Sequence, residues 1–166
     1  MDRTVGLIIL VIFSGAGLIS ILLIVNLLLP GPVRRTREAL EASAGRSLLL
    51  GGVNFLFAAL VMALLLWLTQ QSGGGILSGI LAVIAALIAL GLLLMMVLGL
   101  ASLAGLIAMR TGETASPFGS YLRGGLLLVL AGLTPYLGWF IFTPLAIWTG
   151  LGGAIQTVLR RKEKTA

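Results

Sequence analysis

The sequence contains no cysteine and no histidine among its 166 residues. These absences exclude disulfides, thiol chemistry and metal sites built from thiolate or imidazole ligands, and with them histidine ligation of haem. Charge is scarce as well, because charged residues make up 10% of the chain, against about a quarter in soluble domains. A chain of this composition lacks the polar surface that a core of its size needs in water.

Apolar residues dominate instead, at 59% of the chain, and the mean hydropathy is +1.17. They occur in long runs, most of them reaching the roughly 20 residues that cross a bilayer as a helix. The runs do not alternate apolar and polar residues as barrel strands do. The sequence therefore predicts an all-α integral membrane protein, a bundle of about five transmembrane helices in a single transmembrane domain.

Proline, glycine and charged segments divide these runs. The first run is too long for a cleaved signal peptide and ends at Pro30. Glycines 73–75 predict a turn, Ser116 followed by Pro117 predicts a capped helix start, and the 134–138 segment predicts a second turn. The predicted spans are about 5–29, 48–68, 76–109, 117–134 and 139–159, followed by a basic tail at 160–166.

The third run is unusually long, since residues 76–109 would extend about 51 Å as a straight helix. That length exceeds one perpendicular crossing but does not allow two crossings with a turn. We expect one continuous helix that tilts or protrudes, and a break near Gly91 or Gly99 is the alternative. A brief interfacial helix with local ion pairs is expected in the charged 34–46 segment.

The basic residues are distributed unequally between the two predicted faces of the membrane. With five spans, all of them except Arg3 fall on one face, and the loops of the opposite face carry no charge. Cytoplasmic loops are enriched in arginine and lysine, so we expect the N-terminus outside and the C-terminus in the cytoplasm. The net charge of +6 then matches anionic lipid headgroups, and we predict no nucleic-acid partner.

Reactive groups are absent from the predicted spans. Every acidic residue lies in a loop or a tail, and the one basic residue that enters a span, Arg123, does so near its start. Because proton and ion pathways need ionisable groups within the membrane, a proton-coupled transporter is disfavoured. Paired carboxylates, a nucleophile beside a base and a phosphate loop are also missing. We therefore predict that the protein is not an enzyme and that it binds no cofactor or metal.

Polar and small residues inside the spans are the remaining candidates for function. The amides Asn26, Asn54 and Gln156 are expected to form interhelical hydrogen bonds, and a polar vestibule for a substrate is the alternative. Small residues four apart allow helix backbones to approach closely. On the long third helix, Gly99 and Ala101 through Gly105 are therefore candidates for packing within the bundle or, as the sharper hypothesis, for docking of a partner.

The order of three stretches resembles the multi-span membrane segment of bactofilin-like, polymer-forming cytoskeletal proteins. The stretches are Leu29-Pro30-Gly31-Pro32-Val33-Arg34-Arg35 with Glu38-Ala39-Leu40; Ser116-Pro117-Phe118; and Leu133-Thr134-Pro135-Tyr136-Leu137-Gly138-Trp139 with Leu151-Gly152-Gly153-Ala154. The resemblance covers most of the chain from about Leu22. No β-helical stretch precedes the first run, so the resemblance implies a membrane bundle with a scaffolding role, and not filament formation. It also implies the bacterial cytoplasmic (inner) membrane.

Two functions remain open. The leading one is a non-catalytic polytopic membrane subunit that scaffolds or stabilises a larger membrane or envelope assembly, with membrane lipids and other membrane protein subunits as partners. The alternative is a small transporter or channel for an uncharged or lipid-like solute, which needs no buried charge.

The expected orientation can be tested by labelling, because the chain has no cysteine of its own. Single cysteines introduced as Ser72→Cys and Thr165→Cys should react with a membrane-impermeant thiol reagent from opposite sides of the membrane. Reaction from the same side would rule out an odd number of spans.

Overall fold

A computed structural model describes residues 3–112 and 116–163, which form helices joined by short turns. The elements are α1 (Arg3–Leu28), α2 (Pro30–Ala42), α3 (Ala44–Gln71), α4 (Ile76–Arg110), α5 (Pro117–Leu133), a π-helical turn (Gly138–Phe142) and α6 (Thr143–Glu163). Parts of the predicted polar loop and of the predicted basic tail lie outside the described residues.

The described residues contain no strand, which confirms the all-helical prediction for that part of the chain. Four helices are long and apolar enough to cross a membrane: α1, α3, α4 and the continuous segment from the π-helical turn through α6. The sequence predicted about five. The difference is α5, whose 17 residues rise about 26 Å, slightly less than the roughly 30 Å of a bilayer's hydrocarbon core.

The long third run forms a single helix, as predicted. Helix α4 continues through 35 residues without a break at Gly91 or Gly99. Neither glycine has a positive φ, and no proline removes a backbone donor within the run. Continuous apolar sequence without a helix breaker therefore produced continuous helix.

Helix α2 has one apolar and one charged face. It begins with proline in its first turn, and Arg34 and Glu38 form an ion pair at 3.5 Å on its exposed side. The face that packs against the other helices consists of Val33, Thr36, Ala39 and Leu40. The short helix predicted for this segment is thus present, with a polarity that suits a position between lipid and water.

Local sequence explains the turns. Glycines 73–75 all have positive φ, between 64° and 118°, a conformation in which a side chain would be strained, so this turn requires glycine. The predicted start of α5 is confirmed, because the Ser116 hydroxyl oxygen accepts a hydrogen bond from the Gly119 N–H. Before α6, the Thr143 N–H bonds to the carbonyl of Gly138, five residues earlier, which defines the π-helical turn.

The tightly packed core lies at one end of the bundle. We call this end the basic end, because α2 lies there, α4 ends there at Arg110 and α5 begins there, with Arg123 in its second turn. Buried residues cluster where each helix reaches the basic end. They are Leu22 and Asn26 in α1; Ser47, Gly51 and Gly52 in α3; Gly99, Ala101, Ser102, Ala104, Gly105 and Ala108 in α4; Gly124, Gly125 and Leu128 in α5; and Gly150 to Ala154 with Gln156 in α6.

The opposite end, which we call the open end, is loosely packed. Residues 4–14 of α1 are all exposed. Helix α3 and the first part of α4 form a hairpin in which, from Val53 to Leu98, Ala85 is the only buried residue. The helices therefore converge at the basic end and leave their apolar surfaces uncovered by the chain at the open end.

Two glycines of α4 provide a matched test of this packing. A Cβ at Gly99 would collide with the backbone of Gly150, whereas a Cβ at Gly91 would meet no atom within 4 Å. We expect Gly99→Ala to lower the free energy of unfolding by about 1–3 kcal/mol through overpacking. Gly91→Ala should leave it unchanged or slightly raise it. Unfolding of both variants in mixed detergent micelles, followed by circular dichroism, measures the difference, and equal stability would contradict the described crossing.

Candidate functional site

Helices α3 and α6 cross at the basic end with almost no side chain between them. A Cβ added to Gly51 would collide with the carbonyl oxygen of Trp148, and one added to Gly152 would collide with the carbonyl oxygen of Ser47. The Trp148 ring covers the neighbouring Gly52, with its Cε3 atom 3.5 Å from the position of a Cβ there. Larger residues at these glycines would force the two helices apart.

The predicted small-residue face of α4 is used inside the chain. Gly99 packs against Gly150 of α6, since a Cβ on Gly150 would lie 2.9 Å from the carbonyl carbon of Gly99. Ala101 is fully buried in the core cluster, and Gly105 is buried as well. The hypothesis that this face looks outward to a partner is therefore corrected, because the chain's own helices occupy it. A Gly105→Leu substitution would disturb the bundle itself.

Two of the three predicted amides bridge helices. The Asn26 side-chain nitrogen donates to the carbonyls of Leu22, at 2.8 Å, and of Ala101 on α4, at 3.0 Å. The Gln156 side-chain nitrogen donates to the Ser47 hydroxyl at 3.1 Å, joining α6 to α3. In contrast, Asn54 donates only to Leu50 of its own helix and joins no cluster.

Hydroxyl groups complete this polar network, and the sequence reading missed them. Ser102 donates to the carbonyl of Val33 at 3.2 Å, and the hydroxyls of Thr36 and Thr157 lie 3.3 Å apart. Both contacts attach α2 to the bundle. Of the hydroxyl groups in this network, that of Ser47 could have been predicted to face another helix. Ser47 stands four residues before Gly51 and therefore lies on the same small-residue face of α3.

Towards the open end, the helices enclose an apolar cavity of about 500 Å³ that opens to the outside of the bundle. Its walls come from α1, α5, the π-helical turn and α6, with Leu100 of α4 as a further contact. The lining residues are Leu10, Val11, Ser14, Gly15, Leu18, Leu100, Leu128, Val129, Gly132, Leu133, Trp139, Phe142, Thr143, Ala146 and Ile147.

The cavity offers apolar contact and little else. Its hydroxyl groups are those of Ser14 and Thr143, and the latter donates to the carbonyl of Gly138 at 2.7 Å. No lining residue is ionisable. The cavity can therefore accommodate a hydrocarbon chain or a similar apolar group, but its lining provides no acid, base or nucleophile paired with a base.

Within residues 3–112 and 116–163, no three acidic side chains come together in a way that could hold a metal ion. Comparisons with protein-family models, curated proteins and solved structures find no match to this chain. The resemblance to the membrane segment of bactofilin-like proteins stays a prediction.

The Gln156–Ser47 bond can be measured with a double-mutant cycle. We expect Ser47→Ala and Gln156→Leu to be coupled by about 0.6 kcal/mol, the average for hydrogen bonds between membrane helices. Unfolding of the single and double variants in detergent gives this coupling energy. Asn54→Leu is the control, because it removes a bond within one helix, and its coupling to Ser47→Ala should be near zero.

Proposed function

We propose that this chain is a non-catalytic polytopic membrane subunit that scaffolds or stabilises a larger membrane or envelope assembly. The observation that carries the proposal is the uncovered apolar surface of the open end. Helix α1 has exposed residues on all sides from 4 to 14, and the α3–α4 hairpin buries one residue between Val53 and Leu98. In lipid, helices associate through close packing, and this surface remains available for packing with other subunits.

We further propose that the basic end faces the cytoplasm and that the N-terminus lies outside, in the bacterial cytoplasmic membrane. The clustering of Arg34, Arg35, Arg110 and Arg123 at the basic end supports this orientation. A topology with five membrane crossings requires that the short helix α5 also spans the membrane. Its Arg123, which is exposed and donates to the Thr111 carbonyl at 3.2 Å, can reach the interface from the second turn. Membrane lipids and other membrane subunits are then the partners.

The cavity favours a second candidate function, a small transporter or channel for an uncharged or lipid-like solute. The cavity opens to the outside of the bundle, and its apolar lining suits such a molecule. The closed packing at the basic end opposes a continuous path, because Gly99, Gly152 and their neighbours bring the backbones together there. We therefore rank transport below scaffolding.

Photo-crosslinking in the native membrane tests the scaffold. A photoreactive residue at Leu60 or Leu87, whose side chains are 70% and 63% exposed, should form an adduct of defined mass with a second membrane protein. The same residue at the buried Leu22 should form none. Transport of a lipid-like solute by the purified chain in liposomes, without any protein adduct at Leu60 or Leu87, would instead support the second candidate and overturn the first.

A further inference from the structure

The lining of the apolar cavity follows the helices for about two turns. On α1 it extends from Leu10 to Leu18, and from the π-helical turn into α6 it extends from Trp139 to Ile147. Leu10 and Leu18 are eight residues apart, which corresponds to a rise of about 12 Å. Because one leaflet occupies about half of the roughly 30 Å hydrocarbon core, a lipid chain confined to one leaflet has a similar length.

The two ends of the cavity differ. At one end, Leu128 belongs to the buried core cluster and Leu18 packs against it, so the cavity borders the core there. The other end is formed by Leu133 and Trp139, which flank the turn at 134–138. The Trp139 side chain is 65% exposed, and tryptophan is enriched where a membrane meets water. The lining thus runs from an interfacial type of residue to the core, the direction that a lipid chain takes from its headgroup.

The chemistry of the lining matches a hydrocarbon chain. The cavity's volume of about 500 Å³ is about three times that of an apolar cavity, of about 150 Å³, that binds benzene. No lining residue carries a charge that would pair with a carboxylate. The Thr143 hydroxyl donates to the Gly138 carbonyl, and the Ser14 hydroxyl can turn to the carbonyl four residues earlier, as that of Ser20 does. Neither hydroxyl therefore requires a polar ligand.

One wall of the cavity contains the π-helical turn. Trp139 and Phe142 of this turn line the cavity, and so does Thr143, which follows it. Single π-helical turns within helices are rare, and they occur frequently at functional sites. The irregular turn and the cavity coincide, and these two separate observations both indicate a site for a bound molecule.

We propose that the cavity holds one acyl chain of a membrane phospholipid as a resident component of the bundle. The acyl chain lies between α1, α5 and α6, with its end near Leu128 and its headgroup at the level of Trp139. An esterified chain brings no charge of its own into the cavity, whereas a free fatty acid carries a carboxylate that finds no cation in the lining. The proposal assumes that the bundle lies in a membrane, but it requires neither scaffolding nor transport.

The position of the acyl chain can be tested with a phospholipid that carries a diazirine at the end of one acyl chain. The full-length protein is placed with this lipid in nanodiscs of phosphatidylcholine and illuminated, and adducts are located by mass spectrometry. Leu128 is 5% exposed and lines the cavity, so a lipid chain reaches it from inside the cavity. We expect adducts at Leu128 and Leu18, and none at Leu22 or Leu151, which are 1% and 0% exposed and do not line the cavity. Absence of adducts at both Leu128 and Leu18 would overturn the proposal.

Two substitutions fill the cavity from different walls. Ala146→Phe adds a ring from α6, and Ser14→Leu adds an aliphatic side chain from α1. The matched controls are Ala86→Phe and Ser20→Leu, which place the same side chains at exposed positions outside the cavity. We expect each filling variant to lower the adduct yield at Leu128 about tenfold, and the controls to label like the parent. Equal labelling of the parent and of both filling variants would overturn the proposal, because the lipid would then reach Leu128 by another route.

Thermal unfolding in detergent, with and without added phosphatidylcholine, separates a loss of binding from a loss of fold. The unfolding midpoint of the parent should rise with lipid concentration until it saturates. A filled cavity needs no acyl chain, so Ala146→Phe without lipid should unfold at the parent's midpoint or above it, and should gain less from the lipid. If Ala146→Phe lowers the midpoint, Ser14→Leu provides the same test from α1.

Other occupants give distinct outcomes. Phosphatidylcholine and phosphatidylglycerol with identical acyl chains should compete equally against the photoreactive lipid. A preference of more than about tenfold for one of them would mean that a headgroup is recognised, and would overturn the proposal. Stronger competition by oleate than by either phospholipid would likewise overturn it in favour of a free fatty acid.

In the native membrane, a photoreactive residue at Leu18 should form a lipid adduct. A protein adduct at this position would mean that a segment of another chain fills the cavity, and would overturn the proposal. The result at Leu60 and Leu87 bears only on scaffolding, so the two proposals can fail separately.

Discussion

One glycine-rich turn of α6, Gly150 to Gly153, holds the basic end together. Gly150 packs on α4, Gly152 on α3, and Gly153 approaches α2, where a Cβ would lie 2.7 Å from Leu40. Between helices in lipid there is no hydrophobic driving force, so association depends on how closely the backbones approach. Each of the three glycines faces a different helix, so a side chain at any one of them would push the helix that it faces away from α6.

The polar contacts are possible only where that approach is close. Hydrogen bonds from Gln156 to Ser47, from Asn26 to Ala101 and from Ser102 to Val33 all lie at the basic end. Each such bond contributes only about 0.6 kcal/mol on average, and it requires donor and acceptor within about 3 Å. At the open end few residues are buried, and the surfaces that face outward there are apolar.

This division gives the two ends different roles. The basic end combines close helix crossings with a cluster of charged groups. The open end has an apolar cavity and uncovered helices, which suit less specific apolar partners such as acyl chains or the spans of other subunits. Under the proposed function, the exposed surface of the open end is where other subunits pack.

The helices follow from local sequence. Apolar runs account for their approximate lengths, Gly73 to Gly75 for a turn, and Ser116 with Pro117 for the start of α5. Which helix faces meet depends on the packing of the whole bundle. The spacing of Gly99, Ala101 and Gly105 is the same for an inward and an outward face, and Asn26 differs from Asn54 only in what lies opposite. Periodicity orients a residue about its own helix axis, whereas its partner depends on how neighbouring helices pack.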